Sequence, residues 1–95
     1  MLESPLSERL ALRQGPNHVG RSRENDIMLA TDNQVSRYHA TITWDGYNCT
    51  IIDLVSSNGT FINGERLDPK VPRLLRDGDR VEFGHRTCFV MRLPQ

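Results

Sequence analysis

The sequence predicts an all-β fold of two antiparallel sheets packed face to face. Three observations predict it. The apolar residues fall in short runs separated by Gly, Asn, Asp and Pro. Asp-Gly and Asn-Gly pairs, the strongest short-range hairpin signal, stand between such runs. No segment keeps a 3.6-residue apolar period for the length a stable helix needs. About ten short strands in one small chain bury their apolar faces by stacking as a sandwich.

RLALR (Arg9 to Arg13) alternates and meets QGPN (Gln14 to Asn17), a turn, while the preceding LSERLAL gives only a short helical hint. HVGR and DIML frame the loop RSREN, Arg21 to Asn25. YHATITW (Tyr38 to Trp44), a two-residue turn at Asp45-Gly46, and YNCTIIDL read as a hairpin. TFI lies between Asn58-Gly59 and Asn63-Gly64. ERL and PRLL are short strand candidates kept from a central position by Pro69 and Pro72. RDGDRVEFG turns at Asp77 to Asp79 and alternates through Val81 and Phe83, and RTCFVMRL is the last strand. The expected core is Leu10, Leu12, Val19, Ile27, Leu29, Ile42, Trp44, Ile51, Leu54, Phe61, Val81, Phe83, Phe89 and Met91. Whether Ile51 or Ile52 faces inward stays open, because a bulge near Asp53 would reverse the phase.

A chain of 95 residues makes one domain with a modest core and leaves little room for an enzyme's enclosed cavity. Its 12 basic and 12 acidic residues cancel, so no overall field draws it to nucleic acid or an acidic membrane. Any anion it binds is recognised locally. Only Lys70 among the basic residues is lysine, a bias toward planar, bidentate hydrogen bonding. No apolar run approaches the length of about 20 needed to cross a bilayer, and the first residues lack a secretory pattern. An intracellular site, cytoplasmic or nuclear, is expected. Cys49 and Cys88 are expected as buried free thiols.

Polar groups concentrate in three loops: Gly20-Arg21 with SREN, Ser36 to His39, and Ser56 to Gly59. They offer guanidinium groups, hydroxyls, an amide and backbone N–H groups, a donor set suited to a tetrahedral dianion. VGRSRENDI (Val19 to Ile27), VSRYHA (Val35 to Ala40), DLVSSNGTFING (Asp53 to Gly64) and DGDRVEFG (Asp77 to Gly84) resemble, in order and approximate spacing, the forkhead-associated or FHA family. The resemblance runs from Arg9 to Leu93. It implies an eleven-stranded sandwich of two antiparallel sheets, FHA/SMAD-like, with residues 9–93 as the domain and 1–8 as a flexible flank. It also implies a non-catalytic module that binds phosphothreonine-containing protein segments through loops at one end, downstream of a Ser/Thr kinase.

Residue by residue, the resemblance gives Arg21 and Ser36 contacts to phosphate, with Ser57 assisting and Arg37 a weaker inference. Asn58 would hydrogen-bond the peptide main chain, and Gly20, His39 and Gly59 would shape and brace the loops. Asn63-Gly64 then turns the chain, while Ser57-Asn58 faces the ligand. Arg23 and Arg37 would favour an acidic flanking residue, and a salt bridge from Arg37 to Asp32 or Glu24 is the bland alternative.

Other chemistries fit less well. The His and Cys residues lack the paired spacing of a zinc site, so no metal and no cofactor is expected. Ser36, His39 and Asp53 lack the nucleophile elbow of a hydrolase, and no catalytic residue is assigned. GRSRENDI lacks the Lys-Ser/Thr of a phosphate-binding nucleotide loop. The aromatic residues are not interleaved with basic ones as single-strand nucleic-acid binders require. A domain of the same fold docking on an unphosphorylated partner, or on its own neighbouring domain, remains the alternative.

Overall fold

The computed structural model describes residues 1–5, 9–85 and 87–93. The strands are β1 (Leu2–Glu3), β2 (Arg9–Leu10), β3 (Gly15–Gly20), β4 (Ile27–Met28), β5 (Ala40–Trp44), β6 (Cys49–Asp53), β7 (Thr60–Ile62), β8 (Glu65–Arg66), β9 (Arg73–Leu75), β10 (Arg80–Phe83) and β11 (Thr87–Met91). One sheet has six strands in the order β2-β1-β11-β10-β7-β8, and the other has five in the order β4-β3-β5-β6-β9. Among the described residues, no helix is long and apolar enough to cross a membrane.

All pairs but one are antiparallel, as expected, and the exception is β3 with β4, where Val19 faces Ile27 and Gly20 faces Met28. The intervening loop doubles back because Asn25 ties to Ser22 through both its N–H (3.1 Å) and its side chain (2.8 Å). That return sets β4 beside the end of β3, running the same way.

Two of the Asn/Asp-Gly turns, Asn63-Gly64 and Asp45-Gly46, differ. Asn63 and Gly64 take φ of 51° and 84° between the facing residues Ile62 and Glu65, a two-residue turn of the kind that suits strand twist. The β5–β6 hairpin closes at Trp44 and Cys49, so its loop is Asp45 to Asn48 and not the two-residue Asp45-Gly46 turn expected. Asp45 sets this length: its carboxylate accepts from the N–H groups of Tyr47 (2.8 Å) and Asn48 (2.6 Å). The turn expected over Gln14 to Asn17 also moves, since β3 already begins at Gly15. Asn17 is buried and its amide donates to Ile42 O (3.1 Å), which holds it in the sheet.

The core lies between the sheets and contains Val19, Ile27, Ile42, Ile51, Val81, Phe83, Phe89 and Met91 as expected. Ile51 faces inward and Ile52 is half-buried, so no bulge reverses the phase. Phe61 was expected inside; Ile62 is buried instead, because Thr60 turns inward to bond Asp53 and fixes the alternation. Leu54 is only half-buried. The flank expected over residues 1–8 does not hold for Leu2 and Glu3. Leu2 is fully buried between Met91 and Leu10; residues 6–8 lie outside the described residues.

Both cysteines are free. Cys49 is buried in the five-stranded sheet, and burial pushes its thiol up to about 11. Cys88, in the other sheet, is only half-buried and lies 3.1 Å from Arg80 Nε.

Candidate functional site

Strand register brings the polar loops to one end. Val19 faces Ala40 and Ala40 faces Asp53, so the chain leaves β3, enters β5 and leaves β6 at the same edge. In the other sheet Thr60 faces Phe83, so β7 begins where β10 ends. Gly84 N donates to Gly59 O (2.8 Å), which seals the two turns of that sheet together.

Residues between β3 and β4 and between β4 and β5 are laced by their backbones. Arg21 N donates to Ser36 O (2.9 Å) and Ser22 N to Arg37 O (3.2 Å). The approach is so close that a Cβ on Gly20 would stand 2.2 Å from Arg37 O. Gly20 therefore supplies space. Gly59 supplies backbone freedom, with φ of +88°.

His39 ties the Ser36 loop to the Ser56–Gly59 loop and to the end of β3, and is fully buried. Its Nδ1 accepts from Ser36 N (3.0 Å), which leaves the proton on Nε2 to be donated to Gly59 O (2.8 Å). Its own N–H donates to Val19 O (2.9 Å), its carbonyl accepts from Leu54 N (2.9 Å), and its ring meets Phe83 edge-on at 5.7 Å. Burial holds the imidazole below its ordinary pKa, against the opposing pulls of the Gly59 bond and the Asp53 and Asp32 charges. An added proton would also set an Nδ1–H against the Ser36 N–H.

A pH dependence follows. The unfolded chain takes up a proton near about 6.5 while the folded chain resists it. The His39 contribution is thus complete above that pH and is lost as pH falls through it toward the lower folded value. Urea denaturation midpoints are expected to drop between pH 7 and 5, and to drop less in His39→Gln. Equal slopes in the two proteins would contradict this role.

Asp53 is a brace that the sequence did not mark. Buried at the end of β6, its carboxylate accepts from Ser56 N (3.1 Å), Ser56 Oγ (2.5 Å) and Thr60 Oγ1 (2.7 Å). Ser56 Oγ accepts in turn from Gly59 N (3.1 Å). Asn25 was also missed: its amide reaches Arg37 O at 2.7 Å and holds one loop against the next. The Asp-x-x-Ser spacing was the available signal, since short polar side chains often bond backbone three residues on.

On this frame hydrogen bonds tie together the segments that carry the expected ligand residues, Arg21 to Ser36, Ser57 to Ser36 and Asn58 to Gln34. Arg21 is exposed, and its Nε donates to Val35 O (3.1 Å), which orients the guanidinium and leaves its two terminal nitrogens as a fork. Ser36 Oγ accepts from Ser57 N at 3.1 Å, and no described residue takes the hydroxyl proton. Asn58 is half-buried, its amide donating to Gln34 O (2.9 Å), which fixes the side chain while a second hydrogen and the oxygen keep bonding capacity. Arg37 joins through its carbonyl; its side chain is exposed. Glu24, considered as its partner, accepts from Tyr38 OH at 2.8 Å.

Among the described residues the ion pairs engage Arg9, Arg13, Arg73, Arg80 and Arg92. Arg21, Arg23, Arg37 and Arg66 have no carboxylate at ion-pair distance among them. Arg76 and Lys70, outside these loops, are likewise in no ion pair among the described residues, so what marks Arg21, Arg23 and Arg37 is their place beside the loop donors. A groove of about 630 Å³ lies between Met28–Asp32 and Thr87–Phe89, and none of the expected ligand residues lines it. Among the described residues no group of His, Cys, Asp or Glu is arranged to hold a metal.

The FHA domain model matches residues 17–84. The FHA domain-containing protein FhaA of Mycobacterium tuberculosis is 39% identical over 79 residues, covering 83% of this chain and 14% of that protein. A structure described as an analysis of phosphothreonine-dependent FHA domain interactions superposes with a TM-score of 0.86 at 33% identity, covering 99% of this chain and 93% of that one. EmbR of M. tuberculosis, solved with a low-affinity phosphopeptide, superposes with a TM-score of 0.85 at 35% identity, covering 96% of this chain and 23% of EmbR. The chain therefore spans a small part of the length of FhaA and EmbR. With its sandwich, its four motifs and these relatives in agreement, the chain belongs to the FHA-domain family.

Proposed function

We propose that the chain docks phosphothreonine-containing protein segments, and that a partner becomes a ligand only after a Ser/Thr kinase has acted. The observation that carries the reading is an oriented Arg21 guanidinium with no ion-pair partner among the described residues, on a segment whose N–H is bonded to Ser36 O, together with a Ser36 hydroxyl that accepts from Ser57 N and keeps its own proton to donate. A phosphoryl group brings about two negative charges and three acceptor oxygens, the complement of those donors. Arg21, Ser36 and Ser57 contact the phosphate, with Arg37 as a second cation. Asn58 holds the peptide main chain, and Gly20, His39 and Gly59 keep the loops in place. The phosphothreonine-dependent interactions described for one structural neighbour and the phosphopeptide bound to another support this reading.

Binding without catalysis suits the bracing. Both ring nitrogens of His39 are engaged by backbone groups, and Ser36 meets His39 through its N–H, leaving no base on the hydroxyl. The balanced charge argues against nucleic acid or a membrane as partner, and an intracellular compartment is where such a kinase would meet its substrate. Calorimetric titration of one peptide with and without its phosphate tests the proposal. The phosphorylated form is expected to bind at least about 100-fold more tightly, given hydrogen bonds to charged groups of roughly 1.5–3 kcal/mol each. Equal affinity would replace this reading with docking on an unphosphorylated surface.

A further inference from the structure

Arg66 lies outside the loops that the sequence marks, yet the fold delivers it to them. The Asn63-Gly64 turn sets the register that places Arg66 of β8 opposite Phe61 of β7. Its guanidinium carbon lies 6.0 Å from the Phe61 ring centre, and that ring is 5.8 Å from the His85 ring. The same side chain reaches the ligand loop: a Cβ on Gly59 would come within 2.8 Å of Arg66 Nε. Arg66 thus flanks the Asn58-Gly59 turn from the six-stranded sheet, whereas Arg21 follows β3 of the five-stranded sheet.

Packing on Phe61 accounts for the stem and for a modest cation–π attraction. It leaves the charge unexplained. Two nearby carboxylates are already taken, Glu65 by Arg73 at 2.7 Å and Glu82, which faces Phe61, by Arg80 at 3.5 Å. Among the described residues Arg66 has no carboxylate partner of its own. A segment bound with its phosphate at Arg21 and Ser36 and its main chain at Asn58 would lie beside the Asn58-Gly59 turn, which Arg66 flanks.

We propose that Arg66 is a specificity-determining residue that binds an acidic side chain of the docked segment, a few residues from the phosphothreonine; this rests on the phosphothreonine reading above. The test is a set of phosphothreonine peptides carrying glutamate, or glutamine in its place, at successive positions on both sides of the phosphate. Each is titrated into the wild-type protein and into Arg66→Gln, Arg66→Lys and Arg37→Gln. At one position the wild type is expected to favour glutamate about three- to tenfold. Arg66→Gln erases that preference, Arg66→Lys keeps part of it, and Arg37→Gln leaves it in place.

The assignment is overturned if the preference survives Arg66→Gln, if it vanishes in Arg37→Gln instead, or if no position favours glutamate. It is also overturned if Arg66→Gln weakens the glutamate and glutamine peptides equally, because the side chain then only supports the loop. A wild-type protein that binds none of the phosphothreonine peptides refutes the underlying reading itself, a result distinct from all of these.

Discussion

Replacing Arg21 by alanine is expected to weaken binding of a phosphothreonine peptide at least about 100-fold while the domain stays folded. The two effects separate because the side chain does two unequal jobs. Toward the protein it donates one hydrogen bond, to Val35 O, worth about 0.5–1.5 kcal/mol. That amounts to a melting temperature lower by a few degrees. Toward the ligand it supplies a charged fork for phosphate oxygens, and losing two such bonds removes about 3 kcal/mol or more. Arg21→Lys restores charge without the fork and is expected to recover only part of the affinity. Calorimetry beside a thermal melt checks both, and unchanged affinity in Arg21→Ala would defeat the assignment.

Gly20→Ala is expected to damage stability and binding together. The new Cβ would lie 2.2 Å from Arg37 O and 2.8 Å from Asn25 Nδ2, distances no real contact tolerates. Arg37 O already accepts from Ser22 N and from the Asn25 amide, so moving it breaks both bonds that lace the loops. A loss of about 3 kcal/mol is expected, in the upper range for overpacking, with a melting temperature lower by roughly 10 °C or more. Urea denaturation with a peptide titration on the folded fraction measures the two effects. A Gly20→Ala protein as stable as the wild type would show that the loops do not approach as closely as described.

What the sequence discloses and what it hides divide along physical lines. The Asn63-Gly64 turn was legible because its chemistry is local: two residues that accept positive φ between facing strands. The three donor loops were legible because several short motifs coincide in order. The strand for Leu2 was not, since its partner Met91 is at the other end of the chain and no local pattern announces the pairing. Phe61 looked like core by hydrophobicity, but the buried bond from Thr60 to Asp53 sets the phase of β7 and turns Ile62 inward. Asp53 itself read as the last polar residue of a strand, near a possible bulge. Three donors around its carboxylate are what make its burial tolerable, and they appear only in three dimensions. Arg66 was hidden for a related reason, because cross-strand register carries it to a loop formed by other residues.

The account rests on donors from separate loops closing on one phosphoryl group, and an amide chemical-shift titration tests that most directly. Adding a phosphothreonine peptide is predicted to move the signals of Arg21, Ser22, Ser36, Arg37, Ser57 and Asn58 as one group, with the unphosphorylated peptide moving none of them. Shifts that bypass these residues and gather elsewhere, for instance along the groove from Met28 to Asp32, or identical shifts without the phosphate, would contradict it.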